Sequence, residues 1–170
     1  ELKISRSLAK ALRNRDYAIR FDSAFDAVMQ GCATRGGADA APNAGQSATW
    51  ISAEMRAAYR RLHELGYAHS VETWIDGELA GGLYGVALGR MFYGESMFTR
   101  VPDASKIALV HLARQLQRWQ FGMIDCQMRT DHLARMGGRE MPRADFVRKL
   151  VELVNYPSIP GAWTLDDDLA

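Results

Sequence analysis

Ser70-Val71-Glu72-Thr73-Trp74-Ile75-Asp76-Gly77-Glu78-Leu79-Ala80-Gly81-Gly82-Leu83-Tyr84-Gly85-Val86-Ala87-Leu88 is the stretch that decides the fold class. Ser70 to Ile75 alternates apolar and polar residues. That is the period of a half-buried strand, because successive side chains point to opposite faces. Asp76-Gly77 is a hairpin signal, since a tight two-residue turn needs φ > 0 at both positions. Glu78 to Leu88 continues as a second strand, carrying several glycines. A third strand is predicted from about Arg90 to Tyr93. Pro102 and Asp103 then open a long helix with Ile107, Val110, Leu112 and Leu116 turned inward. After a turn at Gly122, Ile124-Asp125-Cys126-Gln127 reads as a buried strand. Alternation puts Asp125 and Gln127 on one face of it and Cys126 on the other.

Outward from this centre the chain reads as helices and short connections. Ser5 to Arg13 is a short helix with Leu8 and Leu12 on one face. Tyr17 to Phe21 is a short strand. Asp22 or Ser23 is predicted to cap a helix carrying Phe25, Val28 and Met29. Arg35 to Ala48 is rich in Gly, Ala, Asn and Pro without periodicity and reads as a mobile loop. Ser52 caps a helix through Leu65, ended by Gly66, with Met55, Tyr59 and Leu62 as its inner stripe. Leu133 to Met136 gives a helical turn stopped by Gly137-Gly138. Pro142 starts a last helix through about Val154. A hairpin, a long helix and a further strand make an α+β pattern.

Composition narrows the function classes. The chain has 170 residues, 48% of them hydrophobic. This fits one domain, 1–170, with a real core. The net charge of +1 rules out a bulk nucleic-acid coat, so any polyanion contact must come from local clustering. Two cysteines, Cys32 and Cys126, lack metal-type spacing and point to a reducing, cytoplasmic setting. No apolar run approaches the roughly 20 residues of a membrane span. The chain opens at Glu1 inside what already reads as folded sequence, so preceding residues are expected.

The α+β pattern resembles the acetyltransferase-like (GNAT) fold, a mainly antiparallel, splayed central sheet flanked by helices. The Gln/Arg-x-x-Gly-x-Gly/Ala loop that offers backbone N–H groups to the pyrophosphate of coenzyme A is not evident before the Asp103 helix. The expected donor is therefore something other than acetyl-CoA, and no cofactor is expected. The segments Ile4-Ser5-Arg6-Ser7, Thr49-Trp50-Ile51, Tyr59-Arg60-Arg61-Leu62-His63-Glu64-Leu65-Gly66 and Ala68-His69-Ser70-Val71-Glu72 carry a more specific likeness. So do Gly81-Gly82-Leu83-Tyr84-Gly85-Val86, Gly94-Glu95-Ser96-Met97-Phe98 and Ile124-Asp125-Cys126-Gln127. In order and spacing these resemble the leucyl/phenylalanyl-tRNA–protein transferases. The resemblance implies an enzyme that moves Leu or Phe from aminoacyl-tRNA to the α-amine of a protein beginning with Arg or Lys. The product would enter N-degron proteolysis. It also implies a small preceding domain that this chain does not contain, and a cytoplasmic protein. A monomer is expected.

An aminoacyl ester is already activated, so an amine can attack it directly. The enzyme must position the amine, keep it unprotonated and stabilise the oxyanion. By resemblance, Asp125 and Gln127 are the catalytic pair. A neutral amide is barely basic, so Gln127 is assigned to positioning, and Asp125 to the attacking amine. A buried polar pair satisfying backbone groups is the plain structural alternative. Glu95 would receive a cationic side chain or the donor's own amine, with a surface salt bridge as the competing account. Leu83, Phe92, Gly94, Met97, Leu109 and Ile124 match positions lining the family's aminoacyl pocket. An apolar wall suits Leu or Phe because it offers no partner to a polar group.

Arg6, Lys10 and Arg13 recur at i, i+4 and i+7 and so share one helical face, opposite Leu8 and Leu12. A solvated amphipathic face is the bland account. The resemblance implies that they hold the acceptor stem of tRNA, and that Trp50 stacks on the terminal adenine, where a core tryptophan is the alternative. No metal site is expected. His63-Glu64 lacks the second histidine of an H-E-x-x-H helix, and His69, His111 and His132 have no acid or thiol at ligand spacing. Cys126 is read as a structural thiol. Two other classes stay open: an N-acyltransferase using another donor, and a non-catalytic tRNA- or peptide-binding module.

Overall fold

The computed structural model describes residues 2–34 and 51–169. Trp50 and the 35–48 segment lie outside the described residues. The element order is α1 (Arg6–Asn14), β1 (Ala18–Phe21), α2 (Phe25–Ala33), α3 (Ala53–Glu64), β2 (Ala68–Ile75), β3 (Glu78–Leu88) and β4 (Met91–Thr99). Then come α4 (Ala104–Arg118), β5 (Met123–Asp125), α5 (Asp131–Arg135), α6 (Arg143–Val154) and a 3-10 turn at Asp167–Leu169. The α+β class stands. The sheet has five strands in sequential order, antiparallel except for the parallel pair β4–β5.

The hairpin forms where Asp76 and Gly77 both take positive φ, 53° and 78°. The β2–β3 pair aligns Ser70 with Tyr84 and Val71 with Leu83, so alternate residues feed opposite faces. One face packs on α1, α4 and the tail through Leu8, Val71, Leu83, Phe92, Ile107, Leu112, Leu116 and Trp163. The other packs on α2 and α3 through Phe25, Val28, Met29, Tyr84 and Phe98, with Tyr59 and Leu62 half-buried against them. Gly81 is required for close approach, because a Cβ there would sit 2.7 Å from the Cβ of Ala104 in α4.

Ser52 caps α3 through its hydroxyl, as its position predicts, and Ser5, read from the sequence as the first helical residue, caps α1 in the same way. The prediction that Asp22 or Ser23 caps α2 is wrong in kind. The N-cap is Ala24, which makes no side-chain bond. The turn before α2 is held from the sheet instead. Glu72 of β2, 0% exposed, accepts from Ser23 Oγ at 2.7 Å, from Ser70 Oγ at 2.6 Å and from the Ser23 N–H at 3.4 Å. Asp22 turns the other way at φ 53°. Its carboxylate accepts from the Ser70 N–H at 2.8 Å, from His69 Nδ1 at 2.8 Å and from the Trp163 N–H at 2.6 Å. It therefore ties the tail to the sheet. The spacing argument against an acid partner for His69 also fails, since Asp22 lies far away only in sequence.

Two strand boundaries differ from the sequence reading. β4 runs on to Thr99, because Glu95 is an extra residue between the pairs Gly85–Gly94 and Tyr84–Ser96. This bulge breaks the period of two that marks a strand. β5 ends at Asp125 instead of continuing to Gln127. Gln127 has φ 54°, so the chain has already turned. No helix among the described residues is long and apolar enough to cross a membrane.

Candidate active site

β5 is only three residues long, and its parallel register sets what each residue faces. Ile124 lies beside Phe92 and Asp125 beside Tyr93. Neighbours in register share a face, so the two residues of β5 serve opposite sides of the sheet. Ile124 packs half-buried against the apolar cluster that holds Leu83, Phe92 and Leu109, and Met97 joins it from β4. Five of the six residues assigned to the apolar wall are thus brought together. Leu83, Phe92 and Leu109 are core residues at 4%, 1% and 8% exposure, which leaves Met97 and Ile124 as the half-open edge. Gly94 completes the set through its backbone, with a Cβ there lying 3.7 Å from the Asp125 carbonyl.

Asp125 is half-buried at the open end of β5. Its Oδ1 accepts from the Gln127 N–H at 2.9 Å, a tight turn closed by the acid on its own chain. Gln127 is exposed, and its Nε2 reaches the Asp125 carbonyl only at 3.5 Å. The pair is adjacent, but through this turn and not through strand alternation. The same turn removes the argument that Cys126 faces away. Burial first, then the Asp125 charge, pushes the Cys126 thiol above the ordinary range. A protonated thiol is a poor nucleophile.

Glu95 occupies the β4 bulge, half-buried. Burial raises its carboxyl above the ordinary range, a hydrogen bond from Tyr59 lowers it, and the Asp125 charge raises it again. Two carboxylates within reach of each other favour a cation between them. Asp125 also acts on Tyr93, whose hydroxyl is raised by burial and then by that charge. The sequence reading placed Tyr59 in the inner stripe of α3 and missed its link to Glu95. The one available signal was a hydroxyl-bearing residue on an otherwise apolar face. Tyr84 was missed too. Its ring meets that of Tyr59 edge-on at 5.3 Å, and its buried hydroxyl has no hydrogen-bond partner among the described residues.

Arg6, Lys10 and Arg13 are all exposed along α1, opposite buried Leu8. No ion pair joins any of them to another described residue. Arg15, just past the helix, is engaged with the Pro102 carbonyl. Two surface hollows lie at the β1 edge, lined by Ile19, Arg20, Phe21 and Leu165 and by Tyr17, Arg20 and Trp74, away from Asp125. Their acids are Asp167 in the first and Asp16 and Asp76 in the second, not Asp125 or Glu95. Among the described residues no three His, Cys, Asp or Glu side chains gather as a metal site.

Comparison with known proteins adds an independent finding. Residues 1–151 match the family model described as leucyl/phenylalanyl-tRNA protein transferase. A protein named leucyl/phenylalanyl-tRNA–protein transferase from Thiobacillus denitrificans is 63% identical over 166 residues, covering 98% of this chain and 70% of the relative. Proteins of the same name from Nitrosomonas europaea and Chromobacterium violaceum are each 61% identical, over 98% and 96% of this chain and 67% of each relative.

Proposed function

The chain belongs to the leucyl/phenylalanyl-tRNA protein transferase family, and from that premise we propose that it transfers Leu or Phe from aminoacyl-tRNA to the α-amine of proteins beginning with Arg or Lys. Such a transfer marks the acceptor for N-degron proteolysis in the cytoplasm. The fold reading is one acetyltransferase-like domain, supported by the short parallel β4–β5 pair at the end of an otherwise antiparallel sheet. The observation that carries the proposal is the division of labour at β5. Ile124 faces the apolar cluster with Leu83, Phe92, Leu109 and Met97, while Asp125 faces the side of Tyr93 and Glu95. An aminoacyl ester has the same two halves, an apolar side chain and a polar reacting centre.

In this reading the donor side chain lies against Met97 and Ile124, next to the Gly94 backbone. The acceptor amine attacks the ester carbonyl carbon, and a C–N bond forms. The carbonyl electrons go to oxygen and return as the bond to the ribose oxygen breaks. The amine gives up a proton, and the ribose hydroxyl leaves with one. Asp125 receives the amine's hydrogen bond and offsets its growing positive charge. Gln127, held by the turn that Asp125 closes, orients the amine or the ester. Glu95 receives a cationic group of either substrate. Arg6, Lys10 and Arg13 bind phosphates of the acceptor stem, and Trp50 stacks on the terminal adenine. The test is transfer of labelled Leu from charged tRNA to an Arg-initiated peptide. Product with Arg or Lys at the peptide N-terminus, and none with Ala, is the expected result. Failure with every acceptor would overturn the proposal.

A further inference from the structure

The arginines of this protein differ in what they meet. Arg60 is held by Asp26, Arg61 by Glu64, Arg118 by Asp166 and Asp168, and Arg148 by Asp145. Arg129, Arg135, Arg139 and Arg143 are exposed, and among the described residues no ion pair holds any of them. They follow directly on the Asp125–Gln127 turn. We infer that this stretch, 129–143, is a track for the phosphates of a single-stranded RNA end, the 3′ end that carries the donor ester. The inference rests on the transferase reading above.

Chain connectivity places one end of the track. β5 ends at Asp125, and the residues from there to Arg129 span at most about 14 Å fully extended, so Arg129 stays near the reacting centre. Packing places the other end. α5 carries Arg135 and ends on Met136, which is buried in the cluster that also holds Leu8 of α1. Leu2 packs against the same cluster, and the Lys3 N–H donates to the Met136 carbonyl at 2.9 Å. The track and the cationic face of α1 are therefore neighbours, with Lys3 at the join. No acid stands between Leu2 and Asn14, and the acids between Arg129 and Arg143 are Asp131 and Glu140. Positive charge thus gathers from the turn to α1 in a chain whose net charge is only +1.

An acidic protein surface would also suit arginines. Met128 favours unpaired RNA. It stands between Gln127 and Arg129 at 74% exposure, the most open of the large hydrophobic residues described. Sites for single strands combine a cationic path for the backbone with side chains on which bases rest. Met128 offers an unbranched, polarisable apolar face where such a base would lie. Arginine suits the backbone because its fork of N–H groups matches phosphate oxygens. The polarity agrees as well. The ester must lie at Asp125, the unpaired phosphates trail behind it along 129–143, and the duplex begins where α1 takes over.

The experiment measures RNA binding to the intact chain by fluorescence anisotropy against salt. One probe is a short single-stranded RNA ending in CCA. The other is a blunt hairpin of acceptor-stem sequence without that end. Replacing Arg129, Arg135, Arg139 and Arg143 together with Gln should leave the melting temperature in place, because all are exposed. It should weaken the single strand about tenfold and lower its salt slope by roughly 0.7 per lost contact. The hairpin should change little. The Arg6, Lys10 and Arg13 to Ala variant should do the reverse. Arg139→Gln and Arg143→Gln, made singly, give the same test with smaller slopes if the combined variant melts early. An unchanged affinity and salt slope for the single strand in a folded variant overturns the inference and assigns the arginines to an acidic protein surface. A loss confined to the hairpin overturns the assignment to the 3′ end. Absence of Leu transfer by the parent, with the single-strand loss intact, strikes the transferase reading and leaves the RNA track standing.

Discussion

Two corners of the sheet carry buried acids, and they differ in how many donors each acid meets. At the β1–α2 corner, Asp22 takes hydrogen bonds from His69, Ser70 and Trp163, and Glu72 takes them from Ser23 and Ser70. Both carboxylates are enclosed, the Asp22 side chain being 1% exposed and Glu72 0%. At the β4–β5 end, Asp125 accepts from its own turn at Gln127 and Glu95 from Tyr59, and both are half-buried. A carboxylate offers about four acceptor sites. At the first corner most of them are filled by the protein, which makes the acids parts of the frame. At the second, one donor to each acid is found among the described residues, which fits the proposed site for an amine.

The largest contrast comes from removing one acid at each corner. Asp125→Ala should lower kcat/KM by about 10²–10⁴-fold, in the range of acid–base and charge-stabilising groups, while melting like the parent. Asp22→Ala should cost about 3–5 kcal/mol, because His69 and two backbone N–H groups lose their acceptor in the core. Thermal melts and transfer assays on both variants decide this. Equal loss of melting temperature in the two would erase the distinction between the corners.

Next in size is the apolar side of β5. Met97→Asp should abolish transfer of Leu and Phe, by placing a charge where the donor's side chain lies. Its half-buried position lets the chain fold with that charge hydrated. Leu83→Ala differs, because Leu83 is core at 4% exposure. It should cost about 2–5 kcal/mol of stability as well as weakening transfer. Unchanged kinetics in folded Met97→Asp would remove the wall from the site.

The sequence made the periodic elements legible and hid much of both corners. Residues whose burial follows a local period were readable, as in the β2–β3 hairpin and the inner stripes of α3 and α4, and so was the cap at Ser52. What was not readable came from through-space partners. Glu72 looked like the polar side of an alternating strand, yet it holds Ser23, in the turn before α2, from across the sheet. Asp22 looked like a helix cap and is a tail anchor. At the site, the residue identities came from motif resemblance, and the structure brings most of them together at β5. Their geometry was another matter. The Glu95 bulge and the turn at Gln127 both break the period of two on which strand reading depends. A residue left out of a ladder by such a break is visible only once its neighbours are placed, and Tyr59 is the clearest case.

Smaller effects are expected on the exposed face of α1. Replacing Arg6, Lys10 and Arg13 with Ala should weaken tRNA binding and flatten its salt dependence, with the slope falling by roughly one per lost phosphate contact. Aminoacyl-adenosine, a donor without an acceptor stem, should react equally with variant and parent. An equal loss with that minimal donor would turn this exposed face into a structural one.

The smallest expected change bears on the central claim, that the amine attacks the ester directly at the Asp125 end of β5. Labelled Leu on tRNA is mixed with enzyme, with and without an Arg-initiated peptide, and quenched in acid at short times. The parent and Cys126→Ala should give labelled peptide at closely similar rates, since the Cys126 thiol is held protonated by burial. Neither should carry label on the protein. Label trapped on the parent chain, together with an inactive Cys126→Ala, would contradict direct attack and make Cys126 the nucleophile.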